Sequence, residues 1–298
     1  PRHREGRGAG RQPLEAGAVT QTLDLLRAAM LPSRRRKYLA RALRAGSVPP
    51  GDFIRLAKSF GIATVDAAYL DAYRIRLDLN GRSITEAVLA RGSFQADLFA
   101  RFAGNLPDRA ATFVNVGANI GTTCLNAHHA GFRDILACEP VASNFALLEE
   151  NLRQLGDATL TLHPVALGAK AEERRIFLNP ESTGRHSLVR DFGQGAQTVR
   201  IRTLDEIAPA RPCVLWIDAE GYEAEILRGA GEFLRDRCRA MCLEITPELL
   251  GPGDLDFIDG IGARHFSRIL SLEGAAVPRV RDLDALREGR QTDVIFLP

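Results

Sequence analysis

The stretch from Phe113 to Gly121, Phe-Val-Asn-Val-Gly-Ala-Asn-Ile-Gly, constrains the fold more than any other in this 298-residue chain. A short, β-rich apolar run that stops at glycine reads as a buried parallel strand turning sharply into a helix. Gly117 and Gly121 permit that turn and a close backbone approach. A helix beginning near Ile120 would aim unpaired N–H groups and the positive end of its dipole at an anionic group. A second apolar run, Ile135 to Cys138, ends at Glu139, whose carboxylate at a strand tip suits both hydroxyls of a ribose. These features predict a nucleoside-binding α/β domain.

Several cofactors share that geometry, and the glycine positions discriminate among them. The dinucleotide pattern G-x-G-x-x-G, laid on Gly117, meets Asn119 and Thr122 where its second and third glycines belong. The second glycine is what lets backbone approach a pyrophosphate. S-adenosylmethionine carries a carboxylate, a sulfonium and an adenosine but no phosphate, so a G-x-N-x-G loop with one acidic strand tip suits it better. The competing interpretation is an ordinary strand-to-helix turn with steric glycines.

From Ala111 onward strands and helices alternate, which predicts a parallel sheet covered on both faces. The expected strands are Phe113 to Val116, Ile135 to Glu139, Thr159 to Pro164, Val214 to Asp218 and Ala240 to Ile245, with two more around Ser267 to Leu272 and Asp293 to Leu297. Helices are expected over Thr122 to His129, Ser143 to Leu155 with Ser143 at its start, Tyr222 to Leu234 and, briefly, Thr203 to Ile207. Upstream, residues 1–17 are rich in Gly, Arg and Pro and read as a flexible basic lead. Residues 18–104 read as a helical cap with one small β element, and such caps cover sites or mediate dimers. Within it, Ser33 and Asp52 are expected to cap helices. Tyr73 to Leu79 alternates like a strand, and Asn80-Gly81 is expected to turn it into a hairpin. Phe94, Leu98, Phe99 and Phe102 mark a further helix, and residues 105–298 form the main domain.

Thirty-nine basic against 37 acidic residues give a net charge of +2, so no global field marks a nucleic-acid or membrane-surface binder. Basic character is local, at Arg2 to Arg11 and Arg34 to Lys37. Five cysteines without C-x-x-C spacing, most of them in apolar patterns, point to free buried thiols in a reducing, cytoplasmic setting. No apolar stretch has membrane-spanning length and no secretory signal pattern is present. The opening at Pro1 rather than methionine points to a missing or processed start.

Four further features carry a family likeness. They are the loop Asn115 to Gly121; Cys138-Glu139-Pro140 followed by Asn144-Phe145 and Leu147-x-x-x-Asn151; Val165-Ala166-Leu167-Gly168; and Ile217-Asp218-Ala219-Glu220-Gly221-Tyr222-Glu223 running on to Leu227-x-Gly229-Ala230. With the closing Thr292 to Leu297, they make residues 95–298 resemble the FkbM family of S-adenosylmethionine-dependent methyltransferases. The resemblance implies the Rossmann-like, seven-stranded class I methyltransferase sheet, mostly parallel with its last strand antiparallel. It also implies O-methylation of a hydroxyl on a sugar, lipid or other small-molecule acceptor. Carried over residue by residue, it implies that Asn115, Gly117, Ala118, Asn119, Gly121, Glu139, Pro140, Asn144, Ala166 and Asp218 hold the cofactor. Two departures stand out, Asn115 where members mostly carry Asp and Trp216 where Lys is common.

A hydroxyl acceptor must lose its proton, and Asp218, Glu220, Glu244 and His186 are the candidate bases. Asp218 leads because it ends a buried strand just before Gly221; its rival role is a cap for the next helix. The three carboxylates offer hard oxygen ligands, but residues two apart at a strand-to-loop junction need not converge, so no metal is expected. His186 sits in a polar segment, Glu181 to Ser187, suited to a lid. The alternatives are an RNA or protein methyltransferase, for which no Asn-Pro-Pro-Tyr motif appears, and a non-catalytic module that kept the pocket, which Asn115 and Trp216 would favour.

Overall fold

The structure is a computed structural model that describes residues 49–271 and 273–298. The expectations for the basic lead, the helices before Pro49 and the Arg34 to Lys37 cluster lie outside the described residues. The chain divides into two compact units, residues 1–66 and 67–298. In the first, helix α1 (Pro50–Ser59) buries Phe53, Ile54 and Ala57, and strand β1 (Thr64–Tyr69) begins. Pro49, not Asp52, occupies the α1 cap position, because Pro50 already supplies the fixed φ of a first helical residue.

In the second unit, β1 turns through Leu70 and Asp71, both at positive φ, into β2 (Tyr73–Asp78). The hairpin partner of β2 therefore precedes it. Asn80-Gly81 does not turn the strand back but leads into α2 (Arg82–Arg91), and Thr85 Oγ1 donates to the Asp78 carbonyl to fix the junction. Helix α3 (Ala96–Gly104) buries Leu98, Phe99, Phe102 and Ala103.

The main sheet follows. Strand β3 (Thr112–Val116) is buried throughout; α4 (Thr122–His129), β4 (Asp134–Cys138), α5 (Ala142–Leu152) and β5 (Thr159–His163) continue the alternation. Val141 rather than Ser143 precedes α5, and no side chain caps it. A separate three-stranded sheet then forms from β6 (Ala166–Leu167), β7 (Glu172–Phe177) and β8 (Ala196–Arg202), in the order β6-β8-β7. Helix α6 (Leu204–Ile207) carries a capping box between Thr203 and Glu206. The chain returns to the main sheet with β9 (Cys213–Ile217), α7 (Glu223–Arg228), β10 (Cys238–Ile245), α8 (Asp254–His265), β11 (Arg268–Leu270), β12 (Ala276–Val277), α9 (Asp284–Arg287) and β13 (Thr292–Leu297).

The sheet order is β12-β11-β13-β10-β9-β3-β4-β5. Strands β3, β4, β5, β9 and β10 run parallel, and β13 is antiparallel to both neighbours. This is the class I methyltransferase arrangement of seven strands, with two-residue β12 added at one edge. After β3 the chain moves outward to β4, and the strand on its other side, β9, comes much later. Order thus reverses beside β3, and open α/β sheets bind ligands in the crevice at the carboxyl ends of such strands.

The two faces of the sheet differ. Val114, Val116, Leu215, Ile217, Met241 and Leu243 join one apolar cluster. Phe99 stacks on fully buried Trp216 at 5.3 Å and meets Phe113 edge-on at 5.3 Å. All five cysteines are free and buried; Cys238 and Cys242 share β10.

Candidate active site

A cavity of about 290 Å³ lies at the reversal point, walled by the tips of β3, β4, β9 and β10. Gly117 has φ +79, and a Cβ there would fall 1.8 Å from the Asp218 carbonyl oxygen, so only glycine fits where the loop passes β9. The loop amides are largely engaged: Gly117 and Ala118 N–H donate to the Cys138 carbonyl and Gly121 N–H to that of Ala118. Asn119 N–H donates to Glu139 Oε2 at 2.9 Å. These four amides precede the helix, which starts two residues beyond the expected Ile120. Helix α4 starts at Thr122, and Thr122 and Thr123 line the cavity.

Glu139 is 5% exposed and lines the cavity. Its Oε1 accepts from Val141 N–H at 2.8 Å, and burial, opposed by these backbone bonds, pushes its carboxyl up to about 7. Ala118, Pro140, Asn144 and Ala166 also face the cavity. Asn144 Nδ2 donates to the Thr183 carbonyl at 2.9 Å, while its Oδ1 is buried without a partner. Asn115 and Gly121 do not line it. Asn115 is fully buried with Nδ2 on Cys124 Sγ at 3.4 Å, and a Cβ at Gly121 would meet Leu148. Both serve packing beneath the loop.

Across the cavity stand Asp218, Glu220 and Glu244, whose carboxylate oxygens lie within 4.8 Å of one another. The convergence that spacing alone did not require is present. Burial raises both Asp218 and Glu244; a hydrogen bond from Glu244 opposes the rise at Asp218, whereas the Asp218 charge raises Glu244 further. A proton shared by the pair is therefore held more firmly at Glu244 than at Asp218. Burial and the charge of Asp218 push Glu220 up to about 8. Opposite Glu244 on β13, burial raises Asp293 to about 7.

Neither Asp218 nor any other side chain caps the next helix. Glu223, 2% exposed, instead ties down the loop before it, its Oε1 accepting from Ala219 N–H at 3.0 Å and Gly221 N–H at 3.1 Å. Its Oε2 is buried without a partner, and burial pushes the group up to about 7. The two bonds flank Glu220, which sits at φ +49, a costly conformation for a residue with a Cβ. Ser187 Oγ donates to the Glu220 carbonyl at 2.9 Å from the other side.

His186 lines the cavity, and burial holds its pKa below the ordinary value. Its Nδ1 accepts from Asn179 N–H at 2.9 Å, which leaves the ring proton on Nε2. The neutral ring is thus a donor rather than a base. Ser83, Gln95, Arg185 and Gln291 also line the cavity. They lie in or beside loops away from the strand tips, where nothing in their local pattern marks them.

Residues 115–261 match the family described as methyltransferase FkbM domain. The matched segment belongs to the FkbM methyltransferase family. The match takes in both walls of the cavity, from Asn115 to Glu244. The hexuronic acid methyltransferase AglP of Haloferax volcanii is 28% identical over 120 residues, 39% of this chain and 48% of that protein, so the alignment spans about half the relative's length. Among solved structures, an S-adenosylmethionine-dependent methyltransferase from Agrobacterium tumefaciens aligns at TM-score 0.43 and 14% identity, covering 79% of this chain and 70% of that one. A precorrin-6y methyltransferase from Geobacter metallireducens aligns at TM-score 0.34 and 12% identity, over 67% and 87%. In the FkbM domain the two departures, Asn115 and Trp216, are both fully buried and line no part of the cavity.

Proposed function

We propose that the FkbM domain transfers a methyl group from S-adenosylmethionine to a hydroxyl of a sugar or another small hydroxylated acceptor. One observation carries the reading: a single cavity has a glycine-turned loop and buried Glu139 on one wall and three convergent carboxyl groups on the other. The residues suit that cofactor. Glu139 keeps lone pairs for ribose hydroxyls beyond its two backbone bonds, and the orphaned Asn144 Oδ1 lacks a donor that a bound nucleoside can provide. When bound, S-adenosylmethionine supplies an activated methyl on a sulfonium. Asp218, charged beside a protonated Glu244, is positioned to take the acceptor's proton. Excluding water and aligning the acceptor account for much of the remaining acceleration.

The name of the AglP relative supports a sugar acceptor. The non-catalytic alternative rests on Asn115 and Trp216, and both side chains are buried outside the cavity, against Cys124 and Phe99. Calorimetry with S-adenosylmethionine, followed by detection of S-adenosylhomocysteine over an acceptor panel, tests the proposal. Binding with turnover on a hydroxylated acceptor is expected; absence of binding would overturn it.

A further inference from the structure

A second cavity, of about 420 Å³, adjoins the first, and Arg185, Glu220 and Gln291 line both. The first, at about 290 Å³, lies near the lower end of small-molecule sites, roughly 300 to 1,000 Å³. A nucleoside cofactor leaves little of it for an acceptor. The second is walled mainly by polar side chains, including Asn179, Gln194 and Thr246, with Phe192 its aromatic ring. Many hydrogen-bonding groups around one apolar face suit a polyhydroxylated ring.

Its two arginines differ in their commitments. Arg190 lies 3.7 Å from Glu248 and over the Phe192 ring at 5.5 Å. The Arg185 guanidinium has no hydrogen bond or ion pair among the described residues, although it stands close enough to Asp218 and Glu220 to act on their charge. Its planar fork of five donors matches a carboxylate in two-point contact.

We propose that the second cavity holds the acceptor and that Arg185 binds a carboxylate on it, which makes the substrate a sugar acid or a similar anionic polyol. This rests on the methyltransferase reading above. An anion on Arg185 sets neighbouring hydroxyls beside Glu220 and Asp218, because Arg185 and Glu220 border both cavities. Glu181 and Glu248, which also line the second cavity, disfavour a polyanion.

The test is calorimetric titration of p-nitrophenyl β-glucuronide and p-nitrophenyl β-glucoside into the full chain, with and without S-adenosylhomocysteine. The wild type should bind the glucuronide at least about 10-fold more tightly. Arg185→Ala should abolish that preference while the glucoside still binds, which shows that the variant is folded. Gln194→Trp, which fills the second cavity, should block both sugars. Equal affinities in the wild type, an intact preference in Arg185→Ala, unimpaired binding in Gln194→Trp, or no sugar binding would each overturn the proposal. Failure of S-adenosylhomocysteine alone to bind would instead count against the methyltransferase reading, and the sugar titrations without it would still decide the role of Arg185.

Discussion

At the tips of β3 and β4 the cavity wall is largely backbone whose polar groups already have partners, whereas at the tips of β9 and β10 it consists of carboxyl groups that crowd one another. On the first wall, Gly117, Ala118 and Asn119 all spend their amides inside the protein, and Glu139 accepts from the amides of Asn119 and Val141. On the second, burial raises all three carboxyls, the Asp218 charge raises Glu220 and Glu244 further while Glu244 lowers Asp218, and Glu220 is held at an unfavourable φ by Glu223 and Ser187. The contrast teaches a division of labour. A wall of fixed backbone gives shape to a binding site, and a wall of titratable side chains gives proton chemistry.

Breaking the first wall should have the largest effect. Gly117→Ala drives a Cβ into the backbone carbonyl of Asp218, which cannot swing aside as a side chain can, so the loop and β9 must part. We expect a loss on the order of 3 kcal/mol or more of stability, measured by denaturant unfolding, together with loss of cofactor binding. Breaking the second wall should separate chemistry from binding. Asp218→Asn should leave S-adenosylmethionine affinity within about 2-fold yet slow turnover about 100-fold or more; unchanged turnover would remove Asp218 from the reaction. Glu139→Ala should weaken cofactor binding by about 1–3 kcal/mol in calorimetry and leave the residual turnover rate at saturation much less affected.

Proton linkage sharpens the same contrast. Glu139, Glu220 and Glu223 have carboxyls raised in the folded protein to about 7, 8 and 7 from an ordinary 4.5. The unfolded chain therefore releases these protons first, and the stability they contribute, full below about pH 4.5, is lost as pH rises towards 8. Melting temperature should fall across that window on their account, and Glu223→Gln, which keeps the acceptor for Ala219 and Gly221, should flatten the slope. Cofactor affinity should run the other way near pH 7, rising as Glu139 becomes a carboxylate able to accept from ribose. Smallest of all is the expected effect of Asn115→Asp on cofactor affinity. The residue is buried against Cys124, so the change should cost about 1–3 kcal/mol of stability without improving binding.

The elements legible in the sequence were those in which an apolar run stops at a residue with one conformational or chemical purpose. Val116 before Gly117, Cys138 before Glu139 and Ile217 before Asp218 each marked a strand tip, and the FkbM likeness joined them into one site. The small sheet of β6, β7 and β8 escaped because its strands are short and charged, with Ile176, Val199 and Ile201 the buried residues of the two longer ones. Asn80-Gly81 was misleading since the same dipeptide serves a hairpin turn or a helix entry, and only the partner strand, here upstream, decides. Glu223 reads locally as a first-turn helix acid, and its bonds back to Ala219 and Gly221 depend on a loop conformation that no spacing encodes. Asn115 looked like a cavity residue because motif position does not say to which face of a strand a side chain points.

The division between the two walls is tested most directly by a crystal structure with S-adenosylhomocysteine bound. The ribose hydroxyls should lie on Glu139 and the sulfur should turn towards Asp218 in the same cavity. A nucleoside bound away from Glu139, or a sulfur facing away from the Asp218, Glu220 and Glu244 wall, would contradict it.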